Sequence, residues 1–565
     1  MKRSLSWLMA AALVLAFGLG ALAQPYVMEA ETIGQYGGEI RIATLSDPRT
    51  FNPYLAKETS STDVIIGHIF EPLIGRNGVT TAHEPRLAKA WEFSEDGTVW
   101  TFYLREGVYW HDGVEFTADD VIFTLDIIYD PEIPNNYRDG MLYPDPIQYR
   151  KIDRYTVEFT FPMALATAMD DVSFPIIPKH ILEQPWKEGR FNEMWGVDTP
   201  PWEIIGTGPF QMVEYRPSER IVMTRNPNYW RVDAEGNPLP YITRFVMYIA
   251  GNQDAMRLMF DNRETNIYGV RGTEVDEMQD NAERGGYTIY EGGPTFSTLF
   301  VVFNQNELFV PSPKVEWFQN KLFRQAVAHA VDKQSLIDIV FGGRAVPQWS
   351  PVSAPNRQFL KEDVKTYPYD LEESRRLLAE AGFTWGPDGR LYDWNGNHVE
   401  FTLSTNEGNL QRETFMTLLA EDLTELGMTV HTNPMDFNLL VNQLTSGENW
   451  DAIIIGLTGG VDPDGGSNVW QSSGGLHMWN IGRDEPQTEW EARVDEIFEI
   501  GRTILDPEER VKVYYEWQDI IAEEVPLIYA VTPLVYAAAR NEIKNIEYTA
   551  YGGSLHNIHV LWIDN

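Results

Sequence analysis

Nothing in this chain has the spacing of a catalytic centre. A nucleophilic serine would sit in a G-x-S-x-G turn, a nucleotide phosphate in a Walker loop and a hydrolytic zinc on H-E-x-x-H. The sequence carries none of these. With 83 Asp and Glu, no carboxylate pair stands out as the acid and base of a glycosidase. His556 and His559 are three apart, but Ile558, Val560 and Leu561 read as strand, which sends the two imidazoles to opposite faces. His111, between Trp110 and Asp112, reads as a structural histidine at a turn. The residues suit non-covalent recognition better. Thr458, Gly459, Gly460 and Asp462 form a turn-rich loop after an apolar run, and Trp470, Trp479 and Asn480 follow closely. Flat rings stack on apolar ligand faces, while Asn, Asp and backbone groups take hydroxyls. The chain is read as a binder and not an enzyme, with no metal and no cofactor.

That loop depends on the segments before it. Asp451 to Leu457 reads as a buried strand, Met428-Thr429-Val430 as another, and Asp436 as the cap of a helix running through Leu444. This β-α-β order implies a parallel pair, and ligands bind beyond the carboxyl ends of such strands. Phe415, Leu419, Leu423 and Leu426 make a helical stripe ending at Gly427. A second helix is expected from Gln319 to Val340, its stripe of Leu322, Phe323, Ala326, Val327, Ala330 and Val331 stopped by Gly342-Gly343. Glu39 to Ala43 alternates like a strand and runs into the turn-rich Ser46 to Pro53. Further strand-like runs lie at 100–104, 156–161, 221–224 and 298–303. Mixed helices and strands of this kind make an α/β protein.

Composition bounds the partners. A length of 565 residues exceeds what one core supports and predicts two to four units. A formal charge of -39 repels phosphate backbones and excludes nucleic acid. Lys2 and Arg3 precede the apolar run Leu8 to Leu22, with Ala21-Leu22-Ala23 offering a cleavage site, so residues 1–23 read as a signal peptide. Zero cysteines remove both disulfides and a lipid-modified cysteine anchor. The expected product is a periplasmic monomer that is not tethered by lipid.

Motifs along the chain carry a resemblance. Leu87-Ala88-Lys89-Ala90-Trp91, Ser94-Glu95-Asp96-Gly97, Trp100 to Val108, Trp110-His111-Asp112-Gly113 and Phe116 to Val121 come first. Gly206-Thr207-Gly208-Pro209-Phe210, Arg225 to Trp230, Phe323-Arg324-Gln325-Ala326 and Asp332-Lys333 follow in order. Together these resemble the bacterial extracellular solute-binding proteins of family 5, receptors of ABC importers for peptides, nickel and oligosaccharides. The resemblance implies the two-lobed periplasmic binding protein fold, type II and cluster C-like, with a hinge and an extra inserted domain. Residues 24–75, 205–295 and 526–565 are expected to form lobe I, 76–204 the inserted domain and 296–525 lobe II. The chain would cross between the lobes near Ser297 to Asn304 and Glu524 to Thr532, and the closed receptor would hand its ligand to the membrane permease.

By motif position, Phe51, Asn52, Phe70 and Trp349 join the loop residues as expected ligand contacts. Peptide-binding members hold the peptide ammonium with an aspartate four residues before a proline of that loop, and here the position is Gly459. A buried ammonium without a counter-charge costs several kcal/mol. Asp462, Asp464 and Glu71 are the acids that could replace it. The loop resembles that of sugar-binding relatives more closely, so the expected cargo is a β-linked oligosaccharide, with an oligopeptide or dipeptide as the alternative.

Overall fold

The computed structural model describes residues 26–564 apart from 136, 143, 144 and 484, so the expected signal peptide lies outside the described residues. Three sheets organise the rest. In the first, Glu39–Thr44, Arg244–Ile249, Arg220–Arg225 and Phe210–Arg216 lie side by side in that order. The outermost pair, Glu39–Thr44 with Arg244–Ile249, is parallel, and the others are antiparallel. Alternation turns Ile40, Phe245, Met247, Ile221, Met223, Phe210 and Met212 into one core.

The stretch with the densest motifs forms its own antiparallel sheet, Ala88–Phe93, Val99–Leu104, Thr156–Thr160 and Gln148–Asp153. The Ala118–Tyr129 helix packs on it. Thr117 and Asp120 cap that helix reciprocally, Asp120 Oδ2 accepting from the Thr117 amide at 2.9 Å and Thr117 Oγ1 from the Asp119 amide at 3.3 Å. Such a box stabilises a helix start by about 1 kcal/mol. The apolar residues of this sheet and helix belong to the same core as the first sheet, so the two make one body.

The second body is a five-stranded sheet in the order Thr429–Met435, Glu400–Asn406, Ala452–Leu457, Thr298–Phe303, Leu527–Tyr529. Val301, Phe303 and Ile454 face one apolar cluster, and Phe300, Val302 and Ile453 face another on the opposite side. Helices cover both faces, which is why these strands read as unbroken apolar runs.

Three expectations change. The strands at 429–435 and 452–457 are parallel but not neighbours, because Glu400–Asn406 lies between them and pairs with both. The single helix from Gln319 to Val340 is broken into Lys321–His329, Lys333–Ser335 and a wider turn over Leu336–Val340. Asp332 breaks it by taking the Ser335 amide at 3.0 Å, offering the backbone an alternative partner. The expected strand around His556 and His559 is a short 3-10 helix at Ile558–Val560, with His559 Nε2 facing Arg231 Nη1 at 2.9 Å.

Tyr287–Pro294 and Val531–Arg540 pair in a small sheet with the first body, and the chain then crosses to Thr298–Phe303 and from Leu527–Tyr529. The crossings run together: the Thr295 amide donates to Pro533 at 2.9 Å and the Ala530 amide to Leu299 at 2.8 Å. Two adjacent extended strands are suited to absorb a hinge rotation.

Candidate functional site

A cleft lies between the two bodies, closed at its rims. The Asn438 amide group donates to the Asp47 carbonyl at 3.2 Å, Arg49 reaches Asn442, and the Gln253 amide donates to Gly408 at 3.0 Å. Inside is a cavity of about 420 Å³, walled by Ala43 to Ser46 and the Thr59–Ile65 helix from one side. Asn406, Asn409, Arg412, Phe437 and Thr458 wall it from the other. A second cavity of about 290 Å³ shares Lys57, Thr298, Leu457 and Thr458 with it and continues along the loop after Leu457. Phe296, Trp470, Trp517 and Tyr529 give that second cavity aromatic walls, with Ser353, Asn356 and Asn468 between them.

The loop is set by close backbone packing. A Cβ on Gly459 would sit 1.8 Å from the Phe296 carbonyl oxygen, and one on Gly456 2.3 Å from that of Thr298. Both carbonyls belong to the crossing segment, so only glycine lets the loop lie against the hinge. An aspartate at 459 has no room in this packing. Asn356 Nδ2 donates to the Val461 carbonyl at 2.8 Å and Ser353 Oγ to Phe296 at 2.8 Å, which fixes the loop from outside.

The three acids considered as replacements are all engaged. Asp462 takes both guanidinium nitrogens of Arg510, one at 2.7 Å, and its Oδ1 caps the Asp464 amide at 3.0 Å. Asp464 lies 3.8 Å from Arg502, and burial pushes its carboxyl up to about 7. Glu71 accepts from Tyr229 at 2.7 Å and Trp230 at 2.8 Å and lies 3.5 Å from Arg231. None is a spare counter-charge for an ammonium.

Thr458, Gly459, Gly460, Asp462 and Trp470 line the 290 Å³ cavity, Trp470 with its ring 5.1 Å from that of Trp517. The other expected contacts are placed elsewhere. Phe51 is fully buried against Tyr215 at 5.3 Å, and Phe70 is fully buried against Trp195 at 5.1 Å. Asn52 is fully buried too, its Oδ1 accepting from the Tyr54 amide at 3.0 Å. Trp479 is 1% exposed and donates to Glu491 at 3.0 Å, and Asn480 is buried beside it. Trp349 is half-buried with Lys333 Nζ 4.5 Å from its ring centre, and it lines neither cleft cavity.

The charged residues of the cleft that the sequence reading missed include Asp63 and Arg412. Asp63, on the Thr59–Ile65 helix, has no ion-pair or hydrogen-bond partner among the described residues. Its side chain is exposed within the cleft, and the protein walls around it raise its carboxyl to about 6. Arg412 faces the same cavity, donates to Asn406 Oδ1 at 2.8 Å and is lowered to about 10 by burial. The rule that ligands sit beyond strand ends, applied to 400–406, would have found Arg412. No sequence signal marks Asp63. His111 takes the structural role expected of it, accepting from the Gly206 amide at 3.2 Å through Nδ1 and facing Gly208 at 3.0 Å through Nε2. Burial holds it neutral, lowered to about 4.

Residues 82–478 match the bacterial extracellular solute-binding proteins, family 5 (Middle). The chain belongs to that family. It is similar to a probable ABC transporter-binding protein of Deinococcus radiodurans, 29% identical over 94% of each chain. The oligopeptide-binding protein AppA of Bacillus subtilis, solved with a nonapeptide, shares its fold at a TM-score of 0.81. It is 24% identical, over 94% of this chain and 100% of AppA. MelB of Agrobacterium fabrum C58, solved with stachyose, gives a TM-score of 0.80 at 22% identity, over 94% of this chain and 85% of MelB. The protein is therefore the substrate-binding receptor of an ABC transporter with the two-lobed family 5 fold, among relatives that are transport binding proteins and not enzymes. Family 5 members are extracellular or periplasmic, and no helix among the described residues is long and apolar enough to cross a membrane.

Proposed function

We propose that the receptor takes a short, uncharged oligosaccharide, β-linked in the first instance, and delivers it from the periplasm as a monomer. One observation carries this reading. At the loop where a peptide ammonium would need an acid, Gly459 lacks room for a side chain, and Asp462 and Asp464 are each matched by an arginine. What lines the cavity there is the half-buried Phe296 and the edges of the largely buried Trp470, Trp517 and Tyr529, with amides and hydroxyls between them, a lining suited to sugar C–H faces and ring hydroxyls. The stachyose complex of MelB and the periplasmic α-galactoside-binding protein of Rhizobium meliloti, 29% identical over 73% of this chain, make α-galactosides the second series to try. Titration calorimetry with cello-oligosaccharides, stachyose and defined peptides tests the proposal. Heat from either sugar series with silence from peptides supports it, and heat from peptides alone overturns it.

A peptide is the second reading, supported by Asp63 and Arg412, which put opposite charges on opposite walls of the 420 Å³ cavity. It predicts that Asp63→Asn abolishes peptide heat.

A further inference from the structure

The loop that lines the 290 Å³ cavity is tied to the other body through one guanidinium. Arg502 closes the Glu489–Thr503 helix of the second body, and Phe498 and Ile497 of that helix lie in the second body's core. Its Nη2 donates to Asp171 Oδ1 at 2.7 Å and approaches Thr167 Oγ1 at 3.4 Å, while the Ala166 amide donates to the Arg502 carbonyl at 2.8 Å. Residues 166–171 belong to the first body, whose core takes Leu165, Ala168 and Val172. On its other side Arg502 pairs with Asp464 of the loop. Side-chain exposures of 5% for Arg502, 6% for Asp171 and 10% for Asp464 mark the cluster as dry. Asp464 Oδ1 and Arg502 Nε have no hydrogen-bond partner, so the cluster is not a finished structural network.

This contact joins parts that a hinge rotation moves apart. We infer that Arg502 is the positioning residue that couples the ligand loop to closure: within the second body it faces Asp464 of the loop, and it clamps Asp171 of the first body only when the two bodies meet. Opening would release Asp171 to water and leave Arg502, which faces Asp464 of the loop, without its tie to the first body. Arg510 with Asp462 lies wholly within the second body and persists. The inference does not depend on whether the cargo is a sugar or a peptide.

Two carboxylates against one dry guanidinium also favour a shared proton. Asp171 is raised to about 6 and Asp464 to about 7, chiefly by burial. The charges around them are Asp170, itself paired with Arg76 and His83, then Asp462 and Arg510, with the Tyr514 and Tyr129 hydroxyls nearby. In the open form Asp171 would titrate near 4 in water. A carboxyl raised on closing favours closure below the open value and loses that contribution as pH rises through the closed value. The clamp is thus stronger at mildly acidic pH.

Closure can be read at the opposite rim. The chain has no cysteine, so Arg49→Cys with Asn442→Cys accepts a short bismaleimide only when the bodies meet. In ligand-free protein, Asp171→Ala should cross-link roughly tenfold more slowly than the parent pair, the size of one pKa unit. Asp171→Asn keeps an acceptor for Arg502 and should cross-link readily. The parent-to-Asp171→Asn rate ratio, which cancels the thiols' own ionisation, should fall from pH about 6 to about 8.5. An Asp171→Ala rate equal to the parent's overturns the inference. Should that variant fail to fold, the ratio decides, and a ratio that does not change with pH overturns it.

Discussion

The two walls of the cleft are built on opposite plans. On the loop wall, every acid is matched: Asp462 by Arg510, Asp464 by Arg502, and Gly459 leaves no space for another. On the helix wall, Asp63 stands in the cavity with no partner among the described residues. The loop wall spends its charge on holding its own shape, and the helix wall leaves charge available to a ligand. A residue's prominence in sequence therefore says little about which of these tasks it performs.

The comparison breaks most sharply at Arg510. Asp462→Ala should lower unfolding stability by about 3–5 kcal/mol in urea denaturation, because it leaves a buried guanidinium unpaired. A loss below about 1 kcal/mol would mean the loop acid is free after all. Next comes Gly459→Asp, where the new side chain meets the Phe296 carbonyl and the crossing must shift. We expect a loss of about 1–3 kcal/mol, as for other overpacked sites, and weaker ligand heat by calorimetry. Unchanged stability together with new peptide binding would show that the loop still accommodates the peptide-type acid.

Trp470→Ala and Trp349→Ala separate cavity wall from distant packing. Both should cost stability, but only Trp470→Ala should weaken ligand binding, by at least about tenfold for a lost stacking face. The smallest effect belongs to Asp63. Its raised pKa means that its contribution favours the fold below about 4 and is lost as pH rises through about 6. Asp63→Asn should melt slightly above the parent at pH about 8 and level with it at pH about 4. A melting curve of Asp63→Asn that lies below the parent's at both values would place the carboxylate in an unseen ion pair.

Much of the architecture was legible because it is written in local patterns. The period-two run at Glu39 to Ala43, the unbroken apolar run after Asp451 and the Asp436 cap each depend on neighbours in sequence. The strand order was not legible, since Glu400–Asn406 enters between two parallel strands by long-range pairing. The break at Asp332 shows the same limit at short range: the apolar stripe runs on past a residue whose side chain ends the helix.

The site divides in the same way. Loop position after a strand end marked Thr458, Gly459, Gly460, Asp462 and Trp470, all of which line the cavity. Motif position also marked Phe51 and Phe70, and closeness to the loop marked Trp479, all of which are core side chains in this conformation. A large ring gains more from burial than from a half-wet cleft, so tryptophan and phenylalanine are weak guides to ligand faces.

By itself, then, the sequence determined the family, the alternation of strands and helices, and a glycine where a peptide receptor carries an acid. The tertiary structure decided why that glycine is there and which charges remain unmatched. Both depend on segments remote in sequence: the Phe296 carbonyl that fills the space at Gly459, and the arginines that reach back to Asp462 and Asp464. Close packing and ion pairing act between atoms that only the folded chain brings within a few ångströms, and no local pattern encodes that distance.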